Sequence, residues 1–345
     1  MSYNVLNAWS DRALFQEVYR GWRKYQSDGT NSERAYQALV ALHCRSGGVV
    51  TDALSALLRW LTRTRPMETC AGVLGEMTAA RAGVIADAIA RDGFFVFDEK
   101  VPESVCLALE QFAASTPAFV EGGESHCDDI VYAPRAPISR TYRLRRERVL
   151  SAPPVRVLVV DESILAVAQA YLKVEPVLDT VTMWWNTLFS DVPGSEAAQL
   201  FHFDFERLKW LKFFFYLTDV TAGRGPHCYV RGSHRADNAP VQSLTRRGYV
   251  RLSDAEVLSA FGPDSVVEIT GPRGTVLAVD TRGFHKGKVP TEGDRLVLEF
   301  QFANSTFGAM TRDGGLTGDL EPALQSFASR HPNVLRRLMR SGVEQ

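Results

Sequence analysis

Residues 199–235 read QLFHFDFERLKWLKFFFYLTDVTAGRGPHCYVRGSHR and carry the strongest functional signal in the chain. His202 and Asp204 are separated by one residue, and residues i and i+2 of an extended strand point to the same face. The sequence therefore predicts a strand on which an imidazole and a carboxylate converge. A second histidine from elsewhere would complete a set of two histidines and one carboxylate. Such a set leaves coordination positions open and is typical of non-haem Fe(II) oxygenases.

The HxD pair alone is weak support for a metal site, because the pattern also occurs by chance. The residues that follow it strengthen the interpretation. An apolar run occupies residues 211–220, and after a Gly-Pro turn comes the segment YVRGSHR at residues 229–235. Further along the chain are GFHKGKVP, which contains His285, and GDRLVLEFQF, which contains Arg295.

These segments, in this order, resemble the phytanoyl-CoA dioxygenase family of Fe(II)/2-oxoglutarate oxygenases. The resemblance is carried by the HxD pair, KFFFYLTDV, GPHCYVRGSHR, the distal histidine and the arginine ten residues after it. It extends over about residues 85–302 and is clearest from residue 180 onward. It implies Fe(II) as the metal, with 2-oxoglutarate and O2 as cosubstrates.

The resemblance implies specific roles for four residues. The iron ligands are His202, Asp204 and His285, a donor set that could also take Mn, Co or Ni. Arg295 binds the distal carboxylate of 2-oxoglutarate, since a guanidinium offers a bidentate geometry that a lysine lacks. The family often has a hydroxyl two residues after the distal histidine, but this chain has Gly287 there. Another donor, or a water, must therefore serve the cosubstrate.

Weaker candidates surround this set. Gln199, three residues before the first histidine, and Asn186, on the preceding strand, are candidates for contacting the cosubstrate. Lys212, Thr218 and Trp184 are further candidates for the pocket lining.

The remaining histidines near these motifs are interpreted as non-metal residues. His227 and His234 lie in the turn after the central strand and in the GSH motif. His126 and Asp128 form a second HxD, in ESHCDDI, which we assign to a surface loop because no strand pattern follows it. Residues 114–137, rich in Pro, Gly, Ser and Asp, are predicted to form a loop over the site.

The identity of residue 204 bears on the reaction. Halogenating relatives have a small residue in place of the carboxylate, whereas this chain has Asp204, so hydroxylation of a small metabolite, lipid or natural-product or sugar intermediate is favoured. Desaturation, cyclisation or epimerisation by the same iron chemistry is the first alternative. A non-catalytic binding or scaffold protein is the second, although such a protein would be expected to have lost a ligand or the arginine. Aromatic residues near the site would suit an apolar substrate, but strand aromatics usually belong to the core.

Many short strands bounded by Gly and Pro favour an α+β fold with a mainly β core. We interpret it as a double-stranded β-helix, or jelly roll of the cupin type, with flanking helices and a helical N-terminal extension. Strands are predicted at residues 180–189, 266–269, 275–279 and 295–302. In the last of these, alternate residues are apolar, which predicts a strand with one face on the core.

Three segments are predicted. Residues 1–82 form the helical extension, residues 83–302 the oxygenase domain, and residues 303–345 a loop and a short helix at about 333–339 that pack on the core. The extension has no counterpart in the resembled family, so a substrate lid, a dimerisation element and a small added domain are all open. A homodimer through this segment is one expectation.

Composition excludes several classes of function. A formal net charge of −1 over 345 residues provides no field for nucleic acid. Five scattered cysteines without CxxC spacing argue against a disulfide framework or a structural zinc. No apolar run is long enough to span a bilayer, and no signal peptide is evident. We expect a cytoplasmic protein whose partner is a small-molecule substrate.

Overall fold

The computed structural model describes residues 9–62, 64, 66–121, 129–246, 248–311, 314–316 and 320–339, with Glu121 described in its backbone only. The second HxD pair, His126 and Asp128, lies outside the described residues. The strands, numbered in chain order, are β1 (Cys70–Gly72), β2 (Gly75–Met77), β3 (Phe94–Lys100), β4 (Ala118–Glu121), β5 (Thr141–Leu144), β6 (Val177–Asn186), β7 (Trp210–Tyr216), β8 (His227–Val230), β9 (Val266–Ile269), β10 (Thr275–Val279), β11 (His285–Gly287) and β12 (Arg295–Ala303).

Antiparallel pairing joins these strands into sheets. Seven strands form the major sheet in the order β3-β10-β7-β12-β6-β5-β4, and three form a minor sheet in the order β11-β8-β9. The pair β1-β2 stands apart from both. An isolated bridge between His202 and His285 adds one more segment to the free edge of β11. The site described below lies where this edge meets β6, β7 and β12 of the major sheet.

Helices flank the sheets on both sides. They are α1 (Asp11–Asp28), α2 (Glu33–Ser46), α3 (Val49–Leu61), α4 (Ala79–Asp92), α5 (Glu103–Ser115), α6 (Arg146–Ser151), α7 (Pro153–Val159), α8 (Glu162–Leu172), α9 (Ala239–Thr245), α10 (Asp254–Phe261) and α11 (Pro322–Arg330). Local signals place several of their ends. Ser32 caps α2 by accepting a hydrogen bond from the amide of Ala35, and Gly93 ends α4 at φ 91°. None of the described helices is long and apolar enough to cross a membrane.

Two large hydrophobic cores hold these layers together. One lies between the major sheet and helices α4 to α8 and α11. The other joins helices α1 and α2 to the aromatic residues around the HxD pair, including Phe203 and Trp210. The N-terminal helices are therefore packed directly behind the segment that carries the predicted metal ligands.

The structure confirms the prediction of a mixed fold of helices and antiparallel sheet with helices at the N-terminal end. The narrower interpretation, a double-stranded β-helix, stays a prediction. The three segment boundaries likewise stay predictions, as does the homodimer.

Two local predictions were wrong. Residues 333–339 form turns, and the C-terminal helix is α11 instead. Residues 114–137 are not one loop, since α5 extends to Ser115 and β4 pairs through Ala118 with Ile130. The prediction that β12 has one face on the core is confirmed, since its residues Leu296, Leu298, Phe300 and Phe302 belong to the helical core. The other face is also buried, because it faces the site.

Candidate metal centre and cosubstrate pocket

Backbone pairing brings the two predicted histidine ligands together. The amide of His202 donates to the carbonyl of His285 at 2.9 Å, and the reverse bond measures 2.8 Å. The amide of Asp204 donates to the carbonyl of Thr281 at 2.8 Å. The HxD pair therefore lies at an isolated bridge rather than in a regular strand, which corrects the expectation from its spacing. The outcome for the side chains is the expected one, because they meet at one point.

The three side chains form a compact donor set. One ligand atom from each of His202, Asp204 and His285 lies within 4.8 Å of the other two. Nε2 of His202 is 3.6 Å from Oδ1 of Asp204, and Nε2 of His285 is 3.6 Å from Oδ2 of the same carboxylate. Two imidazoles and one carboxylate at these separations fit the donor set that Fe(II) takes in 2-His-1-carboxylate sites.

Both histidines have the tautomer that a metal ligand requires. Nδ1 of His202 lies 2.9 Å from the carbonyl oxygen of Leu200, and Nδ1 of His285 lies 2.9 Å from that of Gly283. Since a carbonyl can only accept, each Nδ1 carries the hydrogen and each Nε2 keeps its lone pair. Backbone carbonyls thus orient both rings, as partners behind ligating histidines commonly do.

Aromatic residues anchor the HxD segment from behind. Phe201, Phe203 and Phe205 alternate with the polar residues and are buried in the core shared with the N-terminal helices. The hydroxyl of Tyr36 on α2 donates to the carbonyl of Phe205 at 2.7 Å, and the ring of His43 lies 4.4 Å from that of Phe205. The alternation, with aromatics outward and ligands inward, explains how an irregular segment keeps a defined direction.

A buried lysine balances the charge of Asp204. Nζ of Lys212 on β7 is 2.9 Å from Oδ2 of Asp204 and 3.6 Å from Oε1 of Glu299. Burial alone would raise the pKa of Asp204, but the combined charge interactions at the site, of which that with Lys212 is the largest, lower that pKa. Burial lowers the pKa of His202 to about 3 and also lowers that of His285. At neutral pH the site therefore contains two neutral imidazoles and one carboxylate, the states that bind a divalent cation.

These residues line one cavity of about 410 Å³. Its wall includes the triad, Lys212, Arg295 and Asn186, and Trp184 of the weaker candidates. Thr218 is not part of the lining; its hydroxyl instead accepts from the amide of Leu296. Further lining residues are Thr141, Arg143, Arg146, Thr180, Thr182, Glu196, Ala197, Ala198, Glu206, Phe214, Tyr216, His227, Arg251, Gly287, Val297, Glu299 and Thr311.

Arg295 stands at one end of the cavity without an acidic partner. Its side chain is buried, and it donates to the carbonyl of Gly225 and, at 2.7 Å, to Oδ1 of Asn186. Nε has no partner, and among the described residues no carboxylate lies within ion-pair distance of the guanidinium. A buried cation that lacks a counter-charge is costly, so this end of the cavity is suited to an anionic group of a ligand.

The two weaker cosubstrate candidates have different positions. Asn186 pairs in register with Arg295 across β6 and β12 and orients its guanidinium. Gln199 is buried but does not line the cavity; its Oε1 accepts from the amide of Gly194 at 2.9 Å. Nε2 of Gln199 has no partner among the described residues. A contact between Gln199 and a cosubstrate is not supported by this position.

Glu299 and His227 are among the residues of the wall that sequence reasoning missed. Glu299 was interpreted only as one of the alternating residues of β12. His227 was set aside as a turn residue, yet it belongs to β8 and pairs in register with Gly287. A signal for this strand was present in the sequence. The segment between the Gly-Pro turn and the GSH motif has the length of one short strand, which could lie beside the distal histidine.

No known family model matches the chain, and no curated protein matches it. Among solved structures it is similar to SnoK, a non-heme alpha ketoglutarate dependent carbocyclase from nogalamycin biosynthesis, at 17% identity over 68% of this chain and 93% of that one, with TM-score 0.45. It is also similar to EctD from S. alaskensis with 2-oxoglutarate and 5-hydroxyectoine, at 21% identity over 70% and 81% of the two chains, with TM-score 0.44.

A third similar structure is HygX from Streptomyces hygroscopicus with nickel and 2-oxoglutarate bound, at 19% identity over 64% of this chain and 86% of that one, with TM-score 0.42. All of these TM-scores lie below 0.5.

Proposed function

We propose that this protein is a non-haem Fe(II)- and 2-oxoglutarate-dependent dioxygenase. The observation that carries the proposal is one cavity that holds both halves of such a site. At its centre, the ligand atoms of His202, Asp204 and His285 converge with both Nε2 lone pairs available. In the same wall, the buried guanidinium of Arg295 has no acidic partner among the described residues. A metal and a dicarboxylic cosubstrate would satisfy both.

The residues of the chain supply binding, orientation and exclusion of water. The triad would hold the metal, and Arg295 would bind the distal carboxylate of 2-oxoglutarate, with Asn186 fixing the plane of the guanidinium. Bound iron supplies the activation of O2, coupled to oxidative decarboxylation of 2-oxoglutarate to succinate and CO2. Val297 and Phe214 contribute apolar surface to the same wall.

Hydroxylation of a C–H bond is the proposed outcome. Residue 204 is an aspartate, and its carboxylate lies close to His285 and to Lys212. The chain therefore lacks the small residue at this position that distinguishes the halogenating relatives.

The lining favours a small polar substrate over a lipid. Trp184, Phe214 and Tyr216 line the cavity, whereas the other aromatic residues near the motifs are packed in the cores: Phe201, Phe203, Phe205, Trp185 and Trp210. Glu299 and Thr182 face each other across β12 and β6, and Oγ1 of Thr182 has no partner among the described residues. Glu299 lies four residues from Arg295, roughly 13 Å along the strand. This polar end is where a substrate with hydroxyl or amino groups would bind.

The test is turnover of 2-oxoglutarate by the full chain. The protein is loaded with Fe(II) under anaerobic conditions, air is admitted, and succinate is measured without added substrate. We expect slow uncoupled succinate formation that disappears in His202→Ala. In Arg295→Lys, which keeps the charge but loses the bidentate fork, we expect saturation to need at least tenfold more 2-oxoglutarate.

A matched control is His331→Ala, since this histidine lies near Glu162 and away from the cavity. It should leave succinate formation unchanged. The proposal would fail if metal-loaded wild type neither binds 2-oxoglutarate anaerobically nor forms succinate in air. A non-catalytic binding protein would then be the better interpretation.

A further inference from the structure

His227 occupies a position in the pocket wall that no step above uses. It lies on β8, pairs in register with Gly287 on β11, and lines the same cavity as Arg295. Its side chain is 6% exposed. A polar side chain buried this deeply in a cavity wall normally has a hydrogen-bond partner.

The surroundings of His227 hold its ring in place but leave it without a hydrogen bond. Its ring is stacked on that of His285 at 5.3 Å and 17°, and lies 5.0 Å from the ring of Phe214. Nε2 is enclosed and has no hydrogen-bond partner in the part of the chain that the structure describes. Among the described residues, the ligand atoms that converge are those of His202, Asp204 and His285, and His227 is not part of this group. A neutral imidazole still carries one N–H donor.

The residue opposite His227 is Gly287, which has no side chain that could donate a hydrogen bond to the cosubstrate. A β-carbon at Gly287 would lie 3.2 Å from Nη2 of Arg295, so a side chain at this position would crowd the guanidinium. The register of β8 and β11 places His227 directly across from the glycine. Position 287 thus provides no side-chain donor, whereas His227 on the neighbouring strand carries an unpartnered one.

We propose that His227 is a cosubstrate-binding residue, whose imidazole N–H donates to the distal carboxylate of 2-oxoglutarate beside Arg295. The inference rests on the proposed function, since it assigns a second contact to the same cosubstrate. Arg295 still has N–H groups for the carboxylate, because two of its five donors are used in the bonds to Gly225 and Asn186. The two residues together would distinguish a five-carbon dicarboxylate from shorter 2-oxo acids.

The test measures binding instead of turnover. Full-length protein is loaded with Ni(II), and the affinities for 2-oxoglutarate and for pyruvate are measured by calorimetry. Pyruvate shares the metal-chelating 2-oxo acid end but has no distal carboxylate. We expect His227→Phe to raise the Kd for 2-oxoglutarate about tenfold or more and to leave that for pyruvate unchanged. His227→Gln, which keeps an N–H donor, should recover most of the affinity.

Nickel stoichiometry of each variant verifies that the site has formed, and His227→Leu serves as a smaller apolar replacement if the phenylalanine does not fold. Equal affinity of wild type and the apolar variants for 2-oxoglutarate would overturn the inference alone. Equal weakening for 2-oxoglutarate and pyruvate would also overturn it, since His227 would then act through His285. Failure of metal-loaded wild type to bind 2-oxoglutarate would overturn the proposed function and this inference with it.

Discussion

The contact between Lys212 and Asp204 lowers the free-energy cost of burying this carboxylate when no metal is bound. A carboxylate without a counter-charge is strongly destabilised in a protein interior, and Glu299 adds a second one 3.6 Å from the same ammonium. In the metal-free protein Lys212 supplies the only positive charge that the described residues place against Asp204, since burial keeps both ligand histidines neutral. A bound divalent cation would supply that charge instead.

Replacing Lys212 should therefore affect the two states of the protein differently. We expect Lys212→Met to lower the free energy of unfolding of the metal-free protein by about 3 kcal/mol, because it leaves a buried carboxylate unpaired. Saturating Ni(II) should recover most of that loss, since the metal then neutralises Asp204. Urea unfolding with chelator and with metal measures both values.

Lys288→Met is the matched control for this experiment. Lys288 pairs with Glu268 at 2.7 Å, but both side chains are more than one third exposed. Its loss should change stability by less than about 0.5 kcal/mol in either state. An equal loss for Lys212→Met with and without metal would show that the lysine acts by packing and not by its charge.

At the scale of elements, the N-terminal helices act as the support of the HxD segment. Helices α1 and α2 cross closely at Gly21, where a β-carbon would overlap that of Ala35. Helix α2 then contributes the hydrogen bond from Tyr36 to the backbone of Phe205. The close crossing thus lies in the same pair of helices that contacts the residues behind the proposed metal ligands.

Two glycine-to-alanine substitutions test this crossing. Alanine is intrinsically better than glycine in a helix, so the change alone should stabilise. We expect Gly21→Ala to lower the free energy of unfolding by about 2 kcal/mol, because the added methyl group overpacks the crossing. Gly83→Ala on α4 is the control, since a β-carbon there meets nothing within 4 Å, and should raise stability by about 0.5 to 1 kcal/mol. Urea unfolding of both variants decides; a stabilised Gly21→Ala would contradict the close packing.

Elements with strong local signals were predictable from the sequence. The strands β9 and β10 have the predicted bounds, because each is a short apolar run between turn residues. The helix predicted at residues 333–339 is not formed, although the apolar residues of this segment have helical spacing. Leu335 and Leu338 are buried, but the backbone around them forms turns. What local patterns cannot supply is pairing between distant segments. The bridge between His202 and His285 and the register of His227 with Gly287 are both of this kind.

In the molecule as a whole, burial affects most of the histidines. The chain has seven histidines, and burial lowers the pKa of five of them: His43, His202, His227, His234 and His285. These residues come from the N-terminal helices, the HxD segment, the minor sheet and the turn that follows β8. They lie in different elements, so global unfolding is the event that exposes all five to protonation together.

This feature predicts steep acid destabilisation of the metal-free protein. A histidine whose folded pKa lies below its unfolded value of about 6.5 binds a proton on unfolding, so stability is lost as pH falls through 6.5. Linkage sets an upper limit of about 5 kcal/mol on the combined loss between pH 6.5 and 5.5, and less than half of that between pH 7.5 and 6.5. Glu299 weakly opposes this loss of stability, because burial raises its pKa.

The pKa of His43 is lowered to about 3, so His43→Leu should remove about one fifth of the loss. Urea unfolding at the three pH values with chelator present measures the slope, and equal stability at pH 6.5 and 5.5 would mean that these histidines are already charged in the folded chain.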